Sequence, residues 1–528
     1  MRKTINENKK FILLMFVLIC VIMAVAVFFG NKKQGYHYDE NYSYYSSNVT
    51  DGLTPTDNEW KDTDTIRQEF YVTSGRAFDY KMVKTMQTYD VHPPFYYYVL
   101  HTVCSLTSGR FSKWQGLAVN LFFLLGTLIL LAQIAFVFSK GNKLSVFFTI
   151  ALFGLSPAII SGVTFIRMYM MLTFICMWSF YIHIKRFNGA TLGIWNFYIP
   201  VFISTYIGFM THYYYVVFLF FMAAYMCIYL FVSRNTRKQS FIYAGCVCMG
   251  LILGVVTYPS CLSHIFRGYR GTEAIGAFAD MGNIKERAGL FVGLLDEYVL
   301  CKSFYVLLLV FVLLLIAVYY KGKKSGKKWN NAYAFAVVTA IGYFGVVLKT
   351  ALQNAEEAVR YEMPIYGIII LLFVVLIGRM AEILAPEKMQ KFYNIVLCMI
   401  WFAVVILQCD GLCGNKVLFL YETDKDSYEW AASRHDSTVV YIYDYPSYWK
   451  IWDDAHELME YDRIFFIDMN NSDEINDTSV IADKPLYIYS VRSEEADKML
   501  DKIIDTNPNV TEATKVRELK FADVYEVK

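Results

Sequence analysis

The chain has 528 residues, of which 56% are hydrophobic and 18% are charged, and it contains 42 tyrosines and 41 phenylalanines. Soluble domains carry about 25% charged residues, so the composition excludes an ordinary soluble enzyme and indicates lipid-buried helices with aromatic residues at the membrane interfaces. The net charge is +2, and no basic patch that would suit a nucleic acid is present.

The first apolar run is Phe11–Phe29, and it follows Arg2, Lys3, Lys9 and Lys10. A cleaved signal peptide has an apolar core of about 7–15 residues followed by a small-residue cleavage site. This run is longer and has no such site after it. It therefore predicts a retained first membrane helix with its N-terminus in the cytoplasm.

Apolar runs long enough to cross a bilayer recur along the chain, since a membrane helix needs about 20 apolar residues. They predict about eleven crossings: 11–29, 115–138, 144–161, 168–184, 193–210, 213–232, 240–258, 303–320, 331–349, 363–380 and 392–409. Every second loop between them is basic, from Lys140 and Lys143 to Lys388 and Lys391. The positive-inside rule places these loops in the cytoplasm, so the sequence predicts a multi-pass protein of the cell membrane.

The same alternation places three regions outside the cytoplasm: 30–113, 259–302 and 410–528. Within the first, Phe95–Leu106 is apolar but short, and a crossing there would move the basic loops to the outer side. It is therefore predicted as an interfacial helix. The polar stretch Asn58–Met86 is predicted to be an amphipathic helix lying on the membrane.

The C-terminal region has a different composition, with short β-type runs between helical patterns. The predicted strands and helices are Val439–Tyr443, Ser447–Glu460, Ile464–Ile467, Leu486–Tyr489 and Glu494–Ile504. The fold class is thus an all-α polytopic membrane bundle with a small C-terminal α/β domain of about 100 residues. The predicted division is a membrane domain over 1–409 and an extracytoplasmic domain over 410–528.

The 11 cysteines lie mostly within apolar runs, where a thiol acts as a small apolar side chain. Cys409 and Cys413 lie near one predicted membrane edge and could pair. The sequence has neither a C-x-x-C nor an H-E-x-x-H pattern. No metal and no other cofactor is therefore predicted.

Polar side chains gather at the predicted outer ends of the helices. They are Asp39, Glu40, His92, Pro93, Pro94, Tyr97, Arg167, Tyr169, His212, Arg360 and Tyr361. Each has an ordinary structural interpretation: solvated loop acids, a proline helix start, arginines that extend to the interface, or aromatic-belt residues. Their position on one predicted side favours function, because ionisable groups near bilayer depth are costly and usually face a cavity.

These residue types suit transfer of a group from a lipid phosphate. A carboxylate such as Asp39 can take a proton from an acceptor hydroxyl as a general base. Arg167 and Arg360 can hold a phosphate leaving group. The apolar helices can accept a lipid tail.

The order Asp39-Glu40 after the first helix, then His92-Pro93-Pro94, resembles the GT-C membrane glycosyltransferases. The most similar group is the family 39 type, related to protein O-mannosyltransferases and lipid A aminoarabinose transferases. Arg167-x-Tyr169 and His212-Tyr213 are similar to further features of that group, and the resemblance covers about residues 1–380. The inserted stretch Asn48–Lys61 and the region 410–528 depart from the family pattern.

The resemblance implies a GT-C bundle, a polyprenyl-phosphate sugar donor, an extracytoplasmic acceptor and inversion at the anomeric carbon. It implies that Asp39 is the base, that Glu40 shapes the site and that His92 lies along the donor or acceptor path. Arg360 stands where the family often contacts the donor phosphate. The implied partners are the donor, the acceptor and membrane lipids, without nucleic acid.

Two other functions are compatible with a polytopic bundle. A secondary transporter would show repeats, broken helices or ionisable residues at the bilayer midplane, whereas the polar residues here cluster at the helix ends. A flippase or a glycan-assembly scaffold without transfer chemistry would tolerate the loss of Asp39.

Overall fold

The structure is a computed structural model, and it describes residues 2–49, 59–189, 191–280, 282–322, 331–470, 486–506 and 512–527. The described chain divides into two compact units. The first comprises Met1–Asn31, Gln87–Tyr96 and Gly116–Leu418, and the second comprises Lys32–Met86, Tyr97–Gln115 and Phe419–Lys528. The region after residue 418 thus belongs to the same unit as most of the first predicted outer loop.

The helices of the first half of the chain are α1 (Arg2–Lys32), α2 (Tyr38–Asn48), α3 (Thr63–Arg67), α4 (Tyr80–Gln87), α5 (Phe95–Leu106), α6 (Lys113–Phe138), α7 (Lys143–Gly154), α8 (Pro157–Thr164), α9 (Tyr169–Phe187), α10 (Ile199–Thr211), α11 (Tyr214–Val232) and α12 (Arg237–Thr257). Those of the second half are α13 (Ser260–Phe266), α14 (Tyr269–Ala279), α15 (Ile284–Leu294), α16 (Phe304–Gly322), α17 (Asn331–Thr350), α18 (Val359–Leu384), α19 (Gln390–Cys413), α20 (Asp424–Ala432), α21 (Ile451–Leu458) and α22 (Glu494–Thr506).

Among the described residues, eight helices are long and apolar enough to cross a membrane, and a bent pair brings the number to nine. The sequence predicted about eleven crossings by length, so two of the predicted spans do not meet this criterion of length and hydropathy. The predicted span 144–161 is broken, because Ser156 caps α8 and Pro157 occupies its first turn, so α7 and α8 meet at 51°.

The predicted spans 168–184 and 193–210 do not meet the criterion of length and hydropathy, each for a different reason. Residues 193–210 begin with a π-helical turn, Ile194–Tyr198, and α10 itself has only 13 residues. Helix α9 has 19 residues, but His183, Lys185 and Arg186 near its C-terminal end lower its mean hydropathy. The predicted multi-pass helical architecture itself is confirmed.

A buried glutamine fastens the broken pair to its neighbours. Gln408, in α19, is fully buried, and its Nε2 donates to the carbonyl oxygens of Leu152 and Val299, both at 2.7 Å. Backbone carbonyls freed by a helix break need a partner inside an apolar bundle. The Gln408 amide donates to one such carbonyl at the end of α7 and to another at the end of the π-helical turn 295–299.

The second unit contains a six-stranded sheet. Its strands are β1 (Trp60–Asp62), β2 (Thr438–Tyr443), β3 (Arg463–Asp468), β4 (Leu486–Val491), β5 (Ala513–Glu518) and β6 (Ala522–Val527). Their order is β1-β3-β2-β4-β6-β5. Strand β2 is buried along its whole length and pairs in parallel with β3 and β4, while β1 joins β3 antiparallel.

The predicted strands over 439–443, 464–467 and 486–489 and the predicted helix over 494–504 correspond to β2, β3, β4 and α22. The predicted helix over 447–460 is a 3-10 turn followed by α21. Helix α5 has the predicted bounds, Phe95–Leu106. The predicted amphipathic helix over 58–86 is instead divided into β1, α3, a 3-10 turn at 74–76 and α4.

Candidate functional site

Six of the predicted site residues come together in the first unit, at the ends of its helices. Arg167 and Tyr169 lie at the turn from α8 to α9, His212 lies at the turn from α10 to α11, and Arg360 and Tyr361 open α18. His92 lies in the segment 87–96, which belongs to the same unit. We refer to His92, Arg167, Tyr169, His212, Arg360 and Tyr361 as the helix-end cluster.

The turn that carries Arg167 is held by a buried amide of α6. The Asn120 side chain is fully buried, and its Nδ2 donates to the carbonyl oxygens of Val163 at 3.0 Å and Phe165 at 2.7 Å. The Arg167 N–H also donates to the Phe165 carbonyl at 2.8 Å. Helix ends leave carbonyls without partners, so Asn120 both satisfies them and fixes the turn.

Arg360 is buried among aromatic rings, with only 3% of its side chain exposed. Its guanidinium lies 5.0 Å from the ring centre of Phe165, 5.9 Å from that of Tyr169 and 5.2 Å from that of Tyr361. Its Nη1 lies 3.7 Å from a carboxylate oxygen of Glu357. Aromatic faces stabilise a cation through their quadrupole, so this pocket keeps a planar charge in a low-dielectric place.

The start of α18 is shaped by hydroxyl groups that reach its backbone. The Tyr343 hydroxyl donates to the Tyr361 carbonyl at 2.8 Å, and the Tyr366 hydroxyl donates to the Val359 carbonyl at 3.1 Å. Pro364 lies within this first part of the helix and has no N–H for the carbonyl of Arg360. The two tyrosines stabilise a helix start that a proline weakens.

His92 pairs with Asp90, a residue that the sequence reasoning did not single out. The His92 Nδ1 lies 3.4 Å from the Asp90 carboxylate. Burial raises the pKa of Asp90, but the charge and hydrogen bond of His92 and the charge of Arg167 outweigh burial, so the net shift is downward. Asp90 is therefore a carboxylate that can orient the His92 ring.

His212 lies between His92 and Tyr169. Its ring centre is 5.6 Å from each of those rings, and its Nδ1 accepts the Tyr214 N–H at 3.0 Å. Burial lowers the pKa of His212, and the charges of His92 and Arg167 lower it further. His212 is thus a neutral imidazole whose other nitrogen carries the proton and can donate a hydrogen bond.

A third histidine, also absent from the prediction, fastens two parts of this region together. His264, on α13, has its Nδ1 3.0 Å from the Tyr213 hydroxyl and its Nε2 3.4 Å from the Thr88 carbonyl. The pair of contacts fits a tautomer in which Nε2–H donates and Nδ1 accepts. Neither Asp90 nor His264 belongs to a recognisable motif, and only the alternation of basic loops places both on the same predicted side.

Asp39 and Glu40 lie in the second unit, in the first turn of α2. His37 caps this helix: its Nδ1 accepts the Asp39 N–H at 3.1 Å, and the His37 N–H donates to the Glu40 carboxylate at 2.6 Å. This reciprocal arrangement is a capping box. The Asp39 side chain is 22% exposed, so its carboxylate is accessible at the N-terminus of the helix.

Glu40 is fully buried and forms an ion pair with Lys33, whose Nζ lies 2.8 Å from its Oε2. Lys33 also donates to the Phe419 carbonyl at 2.7 Å. Phe419 has a φ of +63°, which is unusual for a bulky residue. The carboxylate next to Asp39 is therefore already bound within the protein.

Three further predicted residues surround the start of α5. Pro93 and Pro94 are both buried and directly precede the helix, as expected for prolines before a first turn. Tyr97 is fully buried and belongs to the second unit. Most of the predicted insertion 48–61, namely 50–58, lies outside the described residues.

The cysteines and the metal prediction can be compared with the described residues. All 11 cysteines are free thiols, so Cys409 and Cys413 are not paired. Across the described ranges, no three His, Cys, Asp or Glu side chains are grouped so that they could hold a metal ion. That the chain needs no metal stays a prediction from the sequence.

Comparisons with known proteins give matches to structures alone. No family model and no curated protein matches the chain. The crystal structure of ArnT from Cupriavidus metallidurans bound to undecaprenyl phosphate is similar with a TM-score of 0.56 at 11% identity, over 97% of both chains. The apo state of the same ArnT has a TM-score of 0.53 at 12% identity, over 98% of both chains.

At this identity the likeness shows the fold. ArnT is a lipid A aminoarabinose transferase of the GT-C superfamily, so the GT-C type of fold predicted from the sequence is confirmed. The likeness extends over nearly the whole chain and therefore includes the region after residue 418, for which the sequence had provided no match.

Proposed function

We propose that this chain, which has the fold of ArnT, is a membrane glycosyltransferase that moves a sugar from a polyprenyl phosphate to an extracytoplasmic acceptor. The observation that supports the proposal most strongly is the helix-end cluster. It gathers two arginines and two histidines at the ends of helices in a unit composed mainly of apolar helices. Burying ionisable groups at helix ends is costly, and such groups usually mark a substrate path.

The cluster suits the phosphate of the donor. Arginine offers a planar fork of donors that matches phosphate oxygens, and Arg360 is held against three rings. His92, oriented by Asp90, and the neutral His212 can add hydrogen bonds. The similar ArnT structure has undecaprenyl phosphate bound, a lipid that offers the same combination of phosphate and apolar tail.

Asp39 remains the proposed base. In the proposed reaction its carboxylate takes the proton of an acceptor hydroxyl while that oxygen bonds to the anomeric carbon. The bond from the anomeric carbon to the phosphate oxygen breaks, and the polyprenyl phosphate leaves with the electron pair. Attack from the face opposite the leaving group inverts the anomeric carbon. Glu40 acts indirectly, since its carboxylate is committed to Lys33 and to the cap of α2.

The test is sugar transfer from polyprenyl-phosphate donors in membranes that contain the full-length protein. Asp39→Asn should lower transfer by about a hundredfold or more, as expected for loss of a general base. Asp64→Asn is the matched control, because Asp64 is 68% exposed and pairs with Arg67 one helical turn away. It should transfer at the wild-type rate.

Two results would contradict the proposal. One is a wild-type protein that transfers from no polyprenyl-phosphate sugar, which would favour a transporter or a non-catalytic assembly scaffold. The other is an Asp39→Asn variant as active as Asp64→Asn, which would remove Asp39 as the base. A labelled product, in contrast, identifies whether the acceptor is a lipid, a protein or a wall polymer.

A further inference from the structure

We propose that Asn41 and His456 form a positioning bridge, through which the C-terminal region holds helix α2 and its Asp39 in the orientation needed for transfer. The proposal rests on the proposed function and assigns a role to the region after residue 418. All of the contacts involved lie within the second unit.

The bridge consists of one buried side-chain amide bonded at both of its ends. The Asn41 Nδ2 donates to the carbonyl of Trp452 at 2.7 Å. The His456 Nε2–H donates to the Asn41 Oδ1, also at 2.7 Å. Asn41 is fully buried and His456 is 8% exposed, so neither bond competes with bulk water. Two directional bonds from one side chain fix both the rotation and the axial position of α2 against α21.

The His456 ring is held in place by stacking. It is nearly parallel to the rings of Tyr36, at a centre distance of 4.2 Å, and of Phe111, at 5.0 Å. Burial, with a smaller contribution from the charge of Lys33, lowers the pKa of His456 to about 3. The imidazole is therefore neutral at physiological pH, and its single N–H is the one that Asn41 accepts.

Helix α21 is anchored to the sheet by its other face. Asp454 accepts a hydrogen bond from the Tyr441 hydroxyl at 2.7 Å, and Glu457 accepts one from the Tyr489 hydroxyl at 2.5 Å. Asp454 and Glu457 are three residues apart and thus share a helix face. The helix connects α2 on one side with strands β2 and β4 on the other.

The aromatic contacts of α2 agree with this arrangement. The ring of Trp452 stacks on Tyr42 at 5.0 Å with an interplanar angle of 2°, and it meets Tyr45 edge-on at 4.3 Å. Successive helical residues are rotated by about 100°, so Asp39, two positions before Asn41, projects from nearly the opposite side. The bond between Asn41 and α21 therefore fixes the rotation of α2 and, with it, the direction in which Asp39 projects.

A merely space-filling contact would not need these polar groups. An apolar pair of similar size could bury the same surface without the cost of desolvating an amide and an imidazole. Polar pairs in a core can instead specify one arrangement over its alternatives. The bridge thus predicts a defect in the rate of transfer that is separate from donor binding and that persists at temperatures where the protein is fully folded.

The experiment compares two substitutions of His456 in the full-length protein in nanodiscs. His456→Phe keeps an aromatic ring between Tyr36 and Phe111 but removes the N–H donor. His456→Gln keeps an N–H donor and loses the ring. His435→Phe is the control, because His435 is 70% exposed and lies outside the bridge.

His456→Phe should lower kcat about tenfold, the effect of losing one buried hydrogen bond, with the KM for the donor within twofold. Because the buried Asn41 Oδ1 then lacks its donor, the melting temperature should also fall modestly, so transfer is measured well below it. His456→Gln should retain at least half of the wild-type kcat. Hydrogen exchange should become faster in α2, over 38–48, and stay unchanged in β2. An unchanged kcat in His456→Phe, or no rescue of kcat by Gln, would overturn the proposal.

The exchange measurement separates this proposal from the proposed function. If wild type transfers nothing from any polyprenyl-phosphate sugar, the function is wrong. Faster exchange confined to α2 in His456→Phe would then still support the bridge. Unchanged exchange in α2 would overturn the bridge whatever the reaction is.

Discussion

Removal of Lys33 should destabilise the second unit strongly, because its partner Glu40 is fully buried. The two charged atoms are 2.8 Å apart and neither side chain has any exposed surface. With an effective dielectric constant of about 20, their attraction at this distance is about 6 kcal/mol. Desolvation of both ions offsets much of this, and breaking such a pair from one side typically costs about 3–5 kcal/mol.

Lys33→Met should therefore lower the melting temperature of this unit by about 6–20 °C, since each kcal/mol corresponds to about 2–4 °C in a unit of 150–250 residues. The assay is thermal unfolding in detergent, with hydrogen exchange across β2 and β4 to identify the unit that melts. Lys32→Met is the control: Lys32 is 42% exposed and lies 3.6 Å from Glu422, and exposed pairs contribute at most about 1 kcal/mol.

The double substitution Lys33→Met with Glu40→Leu isolates the cause. Replacing both partners by apolar groups removes the unpaired charge, so the double variant should melt well above Lys33→Met. A loss of less than about 2 °C in Lys33→Met, or a double variant that melts no higher than the single one, would refute the reasoning. The pair would then not be a desolvated ion pair in the folded protein.

Three other predictions concern Arg360, Asp424 and Gln408. Arg360→Lys keeps the charge but loses the planar contacts with three rings. It should lower kcat/KM for the donor by about tenfold or more, and a loss below threefold would remove Arg360 from the phosphate site. Burial and the neighbouring Asp453 raise the pKa of Asp424 from 3.8 to about 6. The folded state then holds this proton more tightly than the unfolded state, so stability falls as pH rises between those values. At pH 7–8 Asp424→Asn should have a higher free energy of unfolding than wild type, by at most about 3 kcal/mol. The difference should vanish below about pH 4, and a difference independent of pH would contradict this. Gln408→Leu leaves two buried carbonyls without their donor and should cost about 1–3 kcal/mol of stability, measured by thermal unfolding.

The helix-end cluster was largely predictable because membrane topology restricts where polar residues can lie. Alternating basic loops placed Arg167, His212 and Arg360 at the same predicted ends, and the structure brings them together in one unit. The partners of these residues were not predictable. Asp90 and His264 have no motif around them, and His264 reaches Thr88 across 176 residues of sequence.

In the C-terminal sheet, too, only some of the strands could be predicted from the sequence. Strands β2 and β4 are apolar and were predicted, since they are buried on both faces. Strand β5 is mostly exposed at the sheet edge and has a polar sequence. Strand β1 has only three residues, Trp60-Lys61-Asp62, and is a strand only because it pairs with β3. Such an element has no local signal that could reveal it.

The pairing of β1 with β3 also has a consequence for how the protein is made. The two strands are separated by about 400 residues, and a ribosome adds about 5–20 residues per second. Trp60 and its neighbours must therefore wait roughly 20–80 s after their synthesis before their partner strand exists. The Asn41–His456 bridge is subject to the same delay, because its two residues lie 415 positions apart. During biogenesis the membrane helices can assemble while the segment that carries Asp39 is still unfinished. Under the proposed function, transfer activity is thus expected only after strands β2 and β3 and helix α21 have been made and folded.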